Sequence, residues 1–235
     1  MTKAVFVLLA VAITSTAHAA SLRIAPISVE VTEPAKTVAV TLRNEGDTAI
    51  TVQSRIMRWS QSNGEDRLEP ANGVVTSPPI GTIAPGAENV VRIVRIDTRN
   101  AAGEESYRLI IDQLPDPKER KPNSVNLLIR HSVPVFFSAA DSTKSRLTWT
   151  VKRSGASILV SATNSGGSHI RISDFGLKTR DGKELARASG LVGYVLPGST
   201  VRWRFASLQN SYSGVANIVA RSGSGPIHAQ VKVDR

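Results

Sequence analysis

The sequence predicts an all-β protein built from two similar domains. Short runs rich in Val, Ile and Thr alternate apolar and polar residues, and turn residues separate them. Over the whole chain, no window of about twelve residues sustains the i, i+3, i+4, i+7 apolar spacing of an amphipathic helix. A length of 235 residues, 41% of them hydrophobic, suffices for one large domain or two ordinary ones.

The first residues are predicted to be an export signal that lies outside the fold. Lys3 supplies a positive charge, Ala4–Ile13 is a short apolar run, and Ala17-His18-Ala19 is an A-x-A cleavage signal. About ten apolar residues are too few for a helix that spans a bilayer, which needs about 20. We therefore expect residues 1–19 to be removed by cleavage after Ala19 and the remaining chain to be exported without membrane insertion.

Each predicted strand rests on its own alternating run. Five lie in the first half of the chain: Val38–Leu42, Ile50–Ile56, Val91–Ile93, Tyr107–Leu114 and Val125–Phe137. Six lie in the second half: Leu147–Val151, Ile158–Ala162, Ile170–Ile172, Val201–Phe205, Ile218–Ala220 and Ile227–Val233. Such short strands over about 100 residues per domain favour immunoglobulin-like β-sandwiches.

Two turn patterns occur in the same order in both halves. A strand runs into Asn44-x-Gly46, and a Pro85-Gly86 turn follows it further along. The second half repeats them as Asn164-x-Gly166 and Pro197-Gly198. Pro and Gly suit the two central positions of a type II turn. We therefore predict domains at residues 20–140 and 141–235, with the boundary near residues 139–145, where small and polar residues replace apolar ones.

The stretch Val125–Phe137 carries an apolar stripe that is longer than an ordinary strand. Its odd positions are apolar except at His131, and strands usually run for about 5–6 residues. One interpretation is a plain core strand. The other is an edge strand whose early residues face a partner, since Pro134 cannot donate to a sheet ladder and an exposed apolar edge favours strand addition.

Composition excludes several kinds of protein. Without cysteine there is no disulfide, Cys-bound zinc or iron–sulfur cluster, and the four histidines are scattered singly. The formal net charge of +10 is spread thinly, with no aromatic residues between the basic ones and no nucleic-acid-binding motif. We therefore expect no enzyme activity, no metal, no cofactor and no nucleic-acid partner.

The sequence resembles the periplasmic pilus-assembly chaperones of the PapD-like family, which serve chaperone–usher pathways. The matching stretches cover nearly all of the chain after the signal: Val38–Asn44, Ile83–Ile93, Ser106–Pro115, Val125–Phe137 and Ala162–Ile172. The run Arg130-His-Ser-Val-Pro-Val-Phe136 is similar to the archaic or spore-coat-type branch.

The resemblance implies a boomerang of two domains with a cleft between them, working in the periplasm. Pilus subunits of this kind lack their last strand, and the chaperone lends its own by donor-strand complementation. Here the donor residues are Val125, Leu127 and Ile129. The implied partners are pilus or coat subunits, which the chaperone folds and caps, and an outer-membrane usher, to which it delivers them. Whether the unloaded protein self-associates stays open.

The family grips the subunit's C-terminal carboxylate with basic residues in the cleft, and here this chain departs from the usual pattern. The positions that match the family's Arg and Lys are Ser28 and Pro134. Neither can make a charge-assisted bond to a carboxylate. The candidates to replace them are Arg92, which we prefer, Arg108 and Arg130, and His131 is expected at the edge of the cleft.

A second interpretation is a two-domain adhesive or structural sandwich on the cell surface. In that case the long strand would lie entirely in a core, whereas in a chaperone its first part would face a partner.

Overall fold

The computed structural model describes residues 22–98, 101, 103–115, 128–209 and 212–234. All regular secondary structure in these residues is β-strand, as the sequence predicts. No helix long and apolar enough to cross a membrane occurs in this described part.

The first half of the chain forms two sheets that face each other. One has the order β1-β3-β8-β6, and the other has the order β2-β10-β9-β4-β5, with β7 also paired to β4. Inward side chains such as Leu42, Ile93 and Leu109 fill the space between the sheets. The strands are β1 (Leu22–Ala25), β2 (Val29–Thr32), β3 (Thr37–Asn44), β4 (Ile50–Ser62), β5 (Glu65–Pro70), β6 (Val74–Ser77), β7 (Ile80–Ile83), β8 (Glu88–Arg95), β9 (Glu104–Leu114) and β10 (Arg130–Ser138).

The second half forms a seven-stranded sheet in the order β14-β13-β16-β17-β11-β12-β15. The sheet folds over so that β14 lies near β12 and β15 without pairing with either. Its two parts face each other across a second core that includes Val160, Phe175 and Ile218. The strands are β11 (Leu147–Ser154), β12 (Ser157–Asn164), β13 (Ile170–Thr179), β14 (Glu184–Val195), β15 (Thr200–Ala206), β16 (Gly214–Ser222) and β17 (Gly225–Asp234).

A change of sheet near the start of the chain leaves part of β10 unpaired on one side. β1 pairs with β3 in the first sheet, whereas β2 crosses to the second sheet and pairs in parallel with Val135–Ser138 of β10. β9 pairs with the whole of β10, from Arg130 to Ser138. Residues 130–134 therefore have β9 on one side and no paired strand of the described chain on the other.

Ten of the eleven predicted strands are present, and of Val125–Phe137 the structure shows the part from Arg130 onward as β10. Residues 128 and 129 precede that strand, and residues 125–127 lie outside the described residues. Six strands were not predicted from the sequence: β1, β2, β5, β6, β7 and β14.

The fold class is confirmed as all-β with two immunoglobulin-like sandwiches. Among the described residues, each pair of hydrogen-bonded strands belongs to one half of the chain, and a single β-bridge, between Gly64 and Val201, joins the two halves. The exact division at residues 140 and 141 stays a prediction.

Candidate functional site

A cluster of aromatic side chains joins the two halves of the molecule. Trp59 from β4 and Phe136 from β10 pack with Tyr194 and Leu196 from the second half, and all four are buried. The ring centroids of Trp59 and Tyr194 lie 5.5 Å apart at an interplanar angle of 80°. Edge-to-face contacts of this kind add to the free energy of burial, so the cluster fixes one domain against the other.

Polar contacts surround this cluster. The backbone N–H and the ring Nδ1 of His169 contact the two carboxylate oxygens of Glu104, at 3.0 and 2.8 Å. The imidazole also stacks on Phe136 with 3.4 Å between centroids. Beside it, the Gln61 amide donates to the Tyr194 carbonyl and accepts from the Leu196 N–H, both at 2.9 Å. The Glu104 side chain is only 2% exposed. Because little water reaches its carboxylate, protein groups must supply the hydrogen-bond partners, and His169 of the second half contacts both oxygens.

The open side of β10 leads from the predicted donor strand towards this junction. The Gln113 N–H donates to the Ile129 carbonyl at 3.1 Å, which extends the β9 ladder one residue beyond β10. Ile129 has the same parity as the buried Val133 and Val135, so by alternation it continues the core face of the strand. Val125 and Leu127 lie outside the described residues.

Arg108 is the candidate anchor that lies at the junction between the domains. In the β9–β10 register it stands opposite Pro134, the position that the resemblance matches to the family's lysine. Its guanidinium carbon lies 3.7 Å from the centroid of Trp59 and 5.4 Å from that of Tyr194. The one ion-pair partner recorded for it among the described residues is Asp66, at 4.0 Å. Burial lowers the pKa of Arg108, although Asp66 opposes this.

Arg92 and Arg130 occupy different surroundings. Arg92 is exposed on β8, between Ala39 and Ser77 in the register of the other sheet. Arg130 donates to Asp112, a carboxylate that Arg55 also contacts. Burial raises the pKa of Asp112, but hydrogen bonds from the two arginines outweigh this and hold the pKa below its usual value. Of the three candidates, the structure brings Arg108 alone to the aromatic cluster.

His131 lies near the start of β10, opposite Ile111. It is half-buried, and burial lowers its pKa. Among the described residues, no group hydrogen-bonds to its buried Nε2. Its place at the edge of the cleft stays a prediction.

A cavity of about 520 Å³ lies where β2 meets the second half of the chain. Ser28, Glu30 and Tyr194 line it, together with His169 and the exposed Arg171. Arg171 stands opposite Tyr194 in the β13–β14 register. No sequence pattern singled out Arg171, His169 or Tyr194, because their approach to the first sandwich depends on how the two domains pack.

The comparisons with known proteins agree on one family. The model for pili and flagellar-assembly chaperones, PapD N-terminal domain, matches residues 21–141. A chain of the complex of the CsuC chaperone with the CsuE tip adhesion subunit, from the archaic Csu pili of Acinetobacter baumannii, shares 25% identity and a TM-score of 0.69. The match covers 92% of this chain and all of that one. No curated protein matches the sequence.

Two further structures share the fold at lower identity. The match to the Salmonella enterica complex of the SafA pilin with the SafB chaperone has a TM-score of 0.62 at 18% identity, covering 91% of this chain and 97% of that one. The CupB2 chaperone of Pseudomonas aeruginosa gives 0.57 at 16%, with coverage of 88% and 97%.

Two sandwiches joined at an aromatic junction, with an open strand beside it, define a protein of the chaperone–usher class. The chain belongs to the family of pili and flagellar-assembly chaperones, and its function is that of a pilus-assembly chaperone. The comparisons do not favour the alternative of a surface adhesin.

Proposed function

We propose that this chaperone works in the periplasm after loss of residues 1–19, and that it caps pilus subunits by lending them Val125–Ile129 as a strand. The observation that carries the proposal is the open side of β10 at residues 130–134. A strand of the subunit can add to this side by backbone hydrogen bonds. Delivery to an outer-membrane usher, with no catalytic turnover, completes the proposed role.

The apolar stripe supplies the free energy of capture. Val125, Leu127 and Ile129 share the parity of the core residues Val133 and Val135. They would therefore enter the subunit's groove on the same face that fills the chaperone's own core. Each large apolar side chain removed from water contributes about 1.5–3 kcal/mol, so three of them suffice for stable capture when the backbone ladder is added.

Arg108 is our proposed anchor for the subunit's C-terminal carboxylate. A strand that adds beside residues 130–134 ends near Ser28, where β2 takes over the pairing with β10. Arg108 lies opposite Pro134 at this level of the sheet. A partly buried guanidinium with one weak ion pair gains from a carboxylate partner, and Arg171 across the junction supplies a second positive charge. Arg92 and Arg130 remain the alternatives.

The test is capture of subunits by tagged mature protein from the periplasm of its own cells, with mass spectrometry of the bound chains. Leu127→Asp should abolish recovery of small secreted β-rich chains. Leu128→Asp is the matched control, since Leu128 has the opposite parity and is 48% exposed. Equal recovery by wild type and Leu127→Asp, or unfolding of Leu127→Asp alone, would contradict strand donation.

A further inference from the structure

The positive charge of the protein belongs almost entirely to its second half. Residues 20–140 contain 14 Lys and Arg against 14 Asp and Glu. Residues 141–235 contain 14 against 5. A one-sided distribution of this size attracts acidic partners to one domain, and strand donation by the first half makes no use of it.

The basic residues of the two halves also differ in their pairing. In the first half, Arg23, Arg43 and Arg95 each have a carboxylate partner. In the second half, among the described residues, the recorded ion pair of a Lys or Arg is Lys183 with Asp181. Arg202 and Arg204 are both exposed, and no ion pair is recorded for either within this described part of the chain.

Three neighbouring strands gather part of this charge on one flat surface, which we call the basic face. It consists of the outward side chains of β11, β12 and β15, which alternate with the buried ones. The registers place Lys152 beside Leu159 and Arg204, and Thr150 beside Ser161 and Arg202. The remaining members of the basic face are Thr148, Thr163 and Thr200.

The composition of the basic face suits acidic groups. None of its nine positions carries a carboxylate, and Asp234 stands at its border, in register with Lys152 on β17. Five of the nine are Ser or Thr, whose hydroxyls donate to oxyanions. Arg202 and Arg204 are two residues apart on β15, about 7 Å along a strand. Alternate side chains of an extended peptide have the same spacing.

The hairpin formed by β4 and β5 lies beside the basic face and favours a narrow acidic peptide over a broad anionic membrane. The Arg202 N–H donates to the Gly64 carbonyl at the β4–β5 turn, and a Cβ at Gly64 would lie 3.0 Å from Cγ of Arg202. The exposed Glu65 follows directly in the chain. A broad anionic membrane on this side would approach Glu65, whereas a narrow acidic peptide can lie on the strands beside it.

We propose that the basic face binds an extended acidic segment of another polypeptide, whose alternate carboxylates pair with Arg202 and Arg204 while Lys152 holds a third. This contact belongs to the second domain and leaves the open side of β10 free for a subunit. It does not depend on the proposed strand donation.

The test measures fluorescence anisotropy of a labelled decapeptide of alternating Glu and Ser against the mature protein, at low and at physiological salt. The double variant Arg202→Gln/Arg204→Gln should weaken binding about tenfold, and salt should weaken binding by the wild type. The matched control is Arg180→Gln/Arg187→Gln, which removes two exposed charges from the same domain outside the basic face. It should change the affinity less than about twofold. Circular dichroism and thermal unfolding confirm that both variants are folded.

Equal weakening by the two double variants would show attraction to net charge alone and would overturn the proposal, as would an absence of peptide binding. Vesicles of phosphatidylglycerol and phosphatidylcholine provide the second arm. Binding to these vesicles that Arg202→Gln/Arg204→Gln abolishes, with peptide binding unchanged, would assign the basic face to lipid headgroups instead and would also overturn it.

Discussion

Arg95, which is buried near the end of β8, forms an ion pair with the partly exposed Glu105. The guanidinium donates twice to the carboxylate, each time at 3.0 Å, and its side chain is 3% exposed. The hydroxyl of Tyr107 also donates to Glu105, and Arg58 donates to Tyr107. Hydrogen bonds from Arg95 hold the pKa of Glu105 below its ordinary value of 4.5, although burial opposes them. The contacts of Arg95 with Glu105 raise the pKa of Arg95 in turn.

Acid should therefore weaken the first domain. Because the pKa of Glu105 is lower in the folded protein, its contribution to stability is present above pH 4.5 and is lost as the pH falls through the lowered folded value. Glu105→Gln should reduce the free energy of unfolding by about 2–4 kcal/mol at pH 7 and by much less at the lowest pH. Denaturant unfolding at several pH values measures this.

The control for this prediction is Glu88→Gln, which breaks the exposed pair with Arg43. Exposed pairs contribute little, so this variant should remain close to wild type at every pH. A loss of stability by Glu105→Gln that is the same at every pH would contradict the view that the ionised carboxylate of Glu105 stabilises the first domain.

Arg108→Gln should weaken binding of a captured subunit about tenfold or more, because it removes a charge-assisted bond at the end of the added strand. The measurement is a double-mutant cycle in which the second change is amidation of the subunit's C-terminal carboxylate. Non-additive losses place Arg108 on the carboxylate. Additive losses, or an equal loss with the exposed Arg92→Gln, would remove Arg108 from the site.

The sequence could name Arg92, Arg108 and Arg130 as candidates, but its preference for Arg92 differs from the choice of Arg108 that we propose from the structure. All three lie on strands, and alternation places each on an outward face. The three arginines differ in which residues cover the strand face that carries them. Trp59 and Tyr194 cover Arg108, and these two residues come from separate domains, so no local pattern announces the contact.

At the scale of elements, the repeated Asn-x-Gly turn has the same hydrogen bonds in both domains. The Asn44 side-chain amide donates to the Thr48 and Ile83 carbonyls, and its oxygen accepts from the Gly46 N–H. Asn164 repeats this with Ser168, Val195 and Gly166. The backbone carbonyl of each asparagine accepts from the glycine of the Pro-Gly turn, Gly86 or Gly198, at 2.9 Å.

Each asparagine therefore holds its turn to a distant strand. Asn164→Ala should lower the free energy of unfolding of the second domain by about 2–4 kcal/mol, since buried partners lose their hydrogen bonds. Asn44→Ala should do the same to the first domain. Thermal unfolding by calorimetry, with the exposed Asn72→Ala as control, measures both. Variants that melt like Asn72→Ala would show that the turns hold without these bonds.

Strand prediction succeeded where a strand is long and has one buried face, and it missed six strands for physical reasons. Four of them, β1, β2, β6 and β7, have only four residues each, too few for an alternating pattern to stand out. β5 is exposed at every position, so its sequence has no apolar face. β14 pairs with β13 through several register shifts, and Gly190 and Gly193 interrupt it, so its alternation does not persist. The repeated turns were predictable because the same side-chain bonds require the same residues twice.

At the scale of the whole molecule, the angle between domains depends on the contacts of Glu104 and Gln61 with the second domain. Glu104→Ala removes the carboxylate that holds His169 and should widen the distribution of distances in small-angle X-ray scattering. Glu30→Ala is the matched control, since its carboxylate is exposed and 3.9 Å from the His169 ring. Identical scattering from the two variants would show that the aromatic cluster alone fixes the angle.

Two sandwiches were predictable from the repeated turns, but their junction was not. The residues that meet there, including Trp59, Phe136 and Tyr194, are separated by many positions along the chain. Aromatic residues at strand ends are ordinary core residues unless a second domain is known to cover them.

Amide hydrogen exchange of Val125–Ile129, measured with and without a captured subunit, tests the central claim most directly. If the segment is lent as a strand, its amides should become strongly protected in the complex, and Arg130–Val133 should gain protection with them. The surface-exposed strand β5, at the far edge of the same sheet, should exchange as before. A stable complex in which Val125–Ile129 exchanges at the rate of the free chaperone would contradict strand donation.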